Sequence, residues 1–233
     1  MVNENTSIVE AVVDIFFETT TFTEIFLNII LGIDGFDTIT KLPISQIPES
    51  IRKSDPNLCF QPLYEIASNS NKEYKIMLGD GTVGIAINGE YKGWEDSFYP
   101  QIQRVFQTIL ESQKITKINR IGMRYINFFA NDNIFQTGKV KVTIDNHEAN
   151  TKTMFLKIDD YVENISYTKT ITNDQNYLNR DEGSIIDIVT FVENDFISLD
   201  NNSIFDTINQ LHTLSKEKFK EVVNDEYISE HSL

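Results

Sequence analysis

Cysteine is almost missing from this 233-residue chain: Cys59 stands alone, which excludes an intrachain disulfide and fits a reducing compartment. Its apolar neighbours in DPNLCFQPL predict a buried thiol rather than a nucleophile. Histidine is nearly as scarce, at His147, His212 and His231, and no zinc-ligand spacing results. His212 and His231 are expected at the surface. No phosphate-binding loop, nucleophile elbow or dinucleotide glycine fingerprint occurs, and Gly79-Asp80-Gly81 is too short to be one. No cofactor is therefore expected. No apolar run reaches the roughly 20 residues needed to span a bilayer. The start MVNENTSIVE has neither the basic residues nor the apolar core of a signal peptide. Together these absences predict a soluble, cytoplasmic protein that does not engage a membrane.

Basic residues are also short, 20 Lys and Arg against 35 Asp and Glu, for a net charge of -15. Nucleic-acid binding rests on clustered cations that displace counterions from phosphates, so direct binding of nucleic acid is not expected. A basic protein partner is the natural complement of such a surface, and self-association is left open. The acidic excess concentrates between Asp159 and Asp200, where ten carboxylates face only Lys169 and Arg180. Asp159, Asp160, Glu163, Asp181, Glu182, Asp187, Glu193 and Asp195 are the candidate interaction residues. The same oxygens suit magnesium or manganese, and they also serve simply to solvate loops and outer strand faces.

Large apolar side chains are plentiful, with 16 Phe and 9 Tyr, enough for a real core. IVEAVVDIFFE at 8–18 reads as a strand whose apolar face is Val9, Ala11, Val13, Ile15 and Phe17, with Glu10, Asp14 and Glu18 opposite. TFTEIFLNIILG follows with helical spacing, a threonine cap at Thr21 or Thr23 and a stop at Gly32. The next connection holds four of the five prolines and reads as irregular, or as carrying isolated edge strands. Strands at 74–78 and 82–87 flank Gly79-Asp80-Gly81, a hairpin turn in which Asp80 needs no further role. From Trp94 to Ile109 apolar residues recur on one helical face, and the strand Ile118–Phe129 comes next. Strand candidates at 140–144, 154–158, 165–171 and 185–192 precede a last amphipathic helix from about Ser203. The expected fold is α+β, a curved antiparallel sheet with long amphipathic helices packed on one face. It is read as one domain over 1–233, open to division into pseudo-repeated halves at 1–130 and 131–225 with a tail at 226–233.

Arg120 and Arg124 share one face of the RIGMRYINFF strand, with Gly122 between them. Two such guanidiniums can clamp a phosphate or carboxylate, or can brace neighbouring acidic strands through ion pairs.

IPESIRKSDPNL, YKGWEDSF and RIGMRYINFF together resemble a sporadically distributed family of bacterial proteins with no assigned activity. The motif residues are Pro48, Ile51, Arg52, Asp55, Pro56, Tyr91, Gly93, Trp94, Arg120, Ile121, Gly122, Arg124, Tyr125 and Asn127, with a Leu-His pair at Leu211-His212. The resemblance spans most of the chain, more in pattern than in letters through the second half. Its patchy distribution implies an accessory, immunity or antitoxin-like role. The leading expectation is a non-enzymatic interaction protein within a bacterial defence system, with the acidic second half as its docking charge. The competing expectations are a metal-dependent hydrolase or nuclease, drawing on Asp159, Asp160, Asp187 and Glu193, and a sensor that holds an anion on Arg120 and Arg124.

Overall fold

The computed structural model describes residues 7–68, 73–87, 89–141, 143–144, 147–148, 155–173 and 182–225. The expected tail at 226–233, with His231, lies outside them, as does Asp181. In chain order come β1 (Ile8–Glu18), α1 (Thr23–Leu31), β2 (Thr38–Lys41), a 3-10 turn at Pro43–Gln46, α2 (Glu49–Ser54) and β3 (Tyr64–Ala67). β4 (Tyr74–Leu78), β5 (Thr82–Ile87), a π-helical turn at Trp94–Phe98, α3 (Tyr99–Glu111) and β6 (Lys117–Ala130) follow. The remainder is α4 (Ile134–Thr137), β7 (Thr143–Ile144), β8 (His147–Glu148), β9 (Phe155–Val162), β10 (Ile165–Asn173), β11 (Gly183–Ile197) and α5 (Asn201–Lys220).

Nine strands form one antiparallel sheet in the order β2-β3-β4-β5-β1-β6-β11-β10-β9, and β7 pairs β8 apart from it. This corrects the α+β expectation of long amphipathic helices laid on a sheet. Among the described residues only α3, at 13 residues, and α5, at 20, exceed nine residues, whereas β6 and β11 run for 14 and 15. Two physical causes account for the difference. The proline-rich connection pairs Thr38–Lys41 with Tyr64–Ala67, which adds two strands that alternation of the sequence did not announce. The periodic run from Trp94 is also not one helix. It opens as a π turn, and Pro100 sits in the first turn of α3, where its missing N–H costs nothing. Of the strand expected at 140–144, among the described residues Thr143–Ile144 pairs, outside the main sheet.

The chain makes two compact units. One holds the described residues of Val12–Gly122 and Val192–Asn209. In it β1 pairs β5, with Val12 opposite Ala86 and Phe16 opposite Thr82, while the Gly79 N–H donates to the Thr82 carbonyl at 2.9 Å to close the β4–β5 turn. Alternation puts Val13, Ile15 and Phe17 inward, at most 2% exposed, and Phe26, Ile30, Phe98, Ile102, Phe106 and Ile109 are equally buried. Trp94 anchors the entry to α3, its indole N–H donating to Asn209 Oδ1 at 3.3 Å and its ring stacked on Tyr99.

The other unit holds the described residues of Met1–Ala11, Met123–Phe191 and Gln210–Leu233. Its core joins Phe129, Ile134, Phe135, Ile171, Ile186 and Ile188 to Phe219, Val222 and Val223 from the end of the chain. Lys169, 7% exposed, reaches Glu221 at 2.8 Å, and Thr190 Oγ1 lies 2.9 Å from Ser215 Oγ within the buried interior. β9 and β10 form a hairpin in which Ile165 opposes Val162 and Thr172 opposes Phe155.

Candidate functional site

Alternation along β6 sets Arg120, Gly122 and Arg124 on the outward face, as the sequence predicts, and neither arginine stands alone. Arg120 Nη1 donates to Asp14 Oδ1 at 2.7 Å, and its guanidinium lies 4.7 Å from the Phe16 ring centroid. The pair passes directly over Gly122: a Cβ there would come within 2.7 Å of Asp14 Oδ1 and 2.8 Å of Arg120 Cζ. Burial pushes the Asp14 carboxyl above its usual value, and Arg120 pulls it part of the way back. Arg124 makes a two-pronged contact with Asp187, Nε to Oδ1 at 3.0 Å and Nη2 to Oδ2 at 2.8 Å, and lies 3.8 Å from Glu10. An anion at either arginine would have to displace a carboxylate already in place.

Three other motif residues, Arg52, Tyr125 and Asn127, bond through polar side chains to partners distant in the sequence. Pro48 turns the chain into α2, which carries Arg52 inward to 8% exposure. Arg52 Nε and Nη2 donate to Asp80 Oδ2 at 3.2 and 2.8 Å, and Nη1 donates to the Ile47 carbonyl. Thr23 Oγ1 donates to the other oxygen of Asp80 at 2.7 Å, so Thr23 serves here and not as a helix cap. These residues line a cleft of about 530 Å³ with Tyr64, Glu24, Glu49 and Lys53. Burial raises the Tyr64 hydroxyl above its usual value, with Glu24 adding to the effect. Cys59 borders the same cleft, half-buried, its thiol 3.5 Å from the Pro56 carbonyl. Asp80 was the residue that sequence reasoning set aside. It lies 28 residues from Arg52, and no spacing rule joins an arginine in a proline-bounded turn to a hairpin tip.

In the other unit Tyr125 and His212 meet, hydroxyl to Nδ1, at 3.1 Å. His212 is therefore half-buried, not at the surface, and burial, with a smaller contribution from Lys216, lowers its pKa from 6.5 to about 4. Asn127, 2% exposed, accepts from Ser7 Oγ at 3.0 Å.

Of the eight candidate interaction carboxylates, Asp181 lies outside the described residues, and those that are described have differing surroundings. Asp159 and Asp160 are neighbours on β9 and so point to opposite faces of the sheet. Asp159 accepts from Thr168 Oγ1 at 2.6 Å and lies 3.1 Å from Lys157 Nζ; the Thr168 bond first, then Lys157, holds its carboxyl below the usual value. Asp160 accepts from the Tyr161 N–H at 2.8 Å and from the Tyr167 hydroxyl at 3.4 Å. Glu163 occupies the hairpin turn at φ 55°, exposed. Glu182 is exposed beside β11, and its carbonyl accepts from the Asn131 N–H at 2.7 Å. Asp187 is taken by Arg124, and Glu193 is exposed in the unit that holds Val192–Asn209. Asp195 falls within β11, but its side chain lies outside the described residues.

What the structure gathers is the β9–β10 hairpin. Asp160 and Glu163 make no ion pair among the described residues, though Lys218 lies over the Tyr167 ring whose hydroxyl reaches Asp160, and Tyr161 and Val162 are 72% and 40% exposed. Among the described residues no group of three or more His, Cys, Asp or Glu side chains could hold a metal ion. No helix among them is long and apolar enough to cross a membrane. No protein family, curated protein or solved structure matches this chain.

Proposed function

We propose that this chain is a non-enzymatic, cytoplasmic protein-interaction module that docks a basic partner through its β9–β10 hairpin, as an accessory or inhibitory component of a bacterial defence system. The observation that carries the reading is the hairpin itself. Asp160 and Glu163 present negative charge that no ion pair among the described residues takes up, and Tyr161 and Val162 add exposed apolar contact beside it. Charge complementarity steers and selects a partner, while apolar and aromatic contact holds it. The other carboxylates fit the reading less well: Asp187 is spent on Arg124 and Asp159 on Thr168 and Lys157. Hydrolytic metal chemistry needs several carboxylates converging on one pocket, and Asp159 and Asp160 diverge across the sheet.

The test is affinity capture of the tagged chain from its host at low and at high salt, with mass spectrometry of what co-elutes. A stoichiometric basic protein, held at low salt and released at high salt, is the expected result. A chain recovered alone at both would overturn the proposal.

A further inference from the structure

β9 ends the order of the sheet, bonded to β10 on one side and to no strand among the described residues on the other. Native proteins blunt such edges with short strands, charged side chains, proline or bulges, because an open row of N–H and C=O groups invites another strand; β9 has the charges Lys157, Asp159 and Asp160. β9 runs a full eight residues without proline, and it exposes Phe155 at 66%, Ile158 at 37% and Tyr161 at 72%. Its sequence FLKIDDYV is complementary to itself about Ile158. Lys157 and Asp159 flank the centre with opposite charges, and Phe155 and Tyr161 lie three positions out on either side.

We infer that a second copy of this chain pairs antiparallel with β9 in the register that sets Ile158 opposite itself. Phe155, Lys157, Asp159 and Tyr161 alternate onto one face of the strand. In this register Phe155 meets Tyr161 of the second copy, and Lys157 meets its Asp159, each contact occurring twice. Cross-strand aromatic and opposite-charge pairs of this kind stabilise antiparallel strands, and like charges directly opposite destabilise them. A two-fold axis that preserves the faces of the sheet must fall on a residue. Centring it on Lys157 sets lysine against lysine, and centring it on Asp159 sets aspartate against aspartate. Ile158 is the central register that avoids both. This pairing and the basic partner proposed above share Tyr161, and Asp160 falls opposite Leu156 of the second copy, so one occupant excludes the other at β9.

Sedimentation velocity across a dilution series tests it with wild type, Lys157→Asp, Asp159→Lys and an equimolar mixture of the two variants. Wild type sediments as a dimer. Each single reversal, folded by circular dichroism, sediments at half that mass, because like charges then oppose each other at both symmetric positions. The mixture recovers the dimer, since a chain with two aspartates complements a chain with two lysines. A wild type that stays monomeric throughout, a dimer that survives both reversals, or monomeric variants that fail to pair when mixed would each overturn the inference.

Discussion

Arg52 keeps its charge in the interior because Asp80 and the Ile47 carbonyl both accept from it, and Thr23 satisfies the remaining oxygen of Asp80. Removing one member strands the other: Arg52→Met alone should cost on the order of 3–5 kcal/mol in chemical denaturation, the usual penalty for an orphaned buried charge. Adding Asp80→Asn should return a large part of that loss, and a double-mutant cycle measures the coupling. His212 sets a second expectation. It stays neutral in the folded chain down to about pH 4, whereas the unfolded chain takes up a proton near 6.5. The unfolded state thus binds more protons between those values, so the stability is complete above pH 6.5 and is lost as pH falls toward 4. Denaturation midpoints should fall by the equivalent of about 1 kcal/mol between roughly pH 7 and 5.5, and His212→Gln should flatten that slope. Arg52 and Tyr125 are thus each half of a polar pair whose partner, Asp80 or His212, lies far along the chain.

At the scale of elements, alternation of apolar and polar residues was a sound guide wherever a strand had one wet and one dry face. β1 and β4 fall at the bounds read from the sequence, as does β5 although it is buried on both faces, and the outward pair Arg120 and Arg124 shares a face as expected. β2 and β3 were illegible because four residues each are too few to show a period, and pairing with each other and with β4 is what makes them strands. The π turn at 94–98 was hidden for a different reason: its apolar residues still satisfy a helical spacing. Gly93 is the residue that permits that turn. It sits at φ 105° and ψ 163°, a conformation nearly closed to other residues, and its carbonyl accepts from the Phe98 N–H at 3.1 Å. Gly93→Ala should lower stability by about 1–3 kcal/mol, read from thermal and denaturant melts.

For the molecule as a whole, a charge of -15 complements a basic protein without saying where one would dock. The density of carboxylates from Asp159 to Asp200 looks like a single surface in the sequence. Among the described residues, Asp159 and Asp160 diverge across the sheet and Arg124 claims Asp187. Asp160 and Glu163 make no ion pair among the described residues, and they sit beside the exposed Tyr161 and Val162. The most direct measurement is therefore the salt-dependent capture repeated with Asp160→Asn/Glu163→Gln and, as a control, Glu193→Gln. The account predicts that the hairpin variant loses the basic partner at low salt and that the control retains it. Equal recovery of the partner by all three chains would contradict docking through the hairpin.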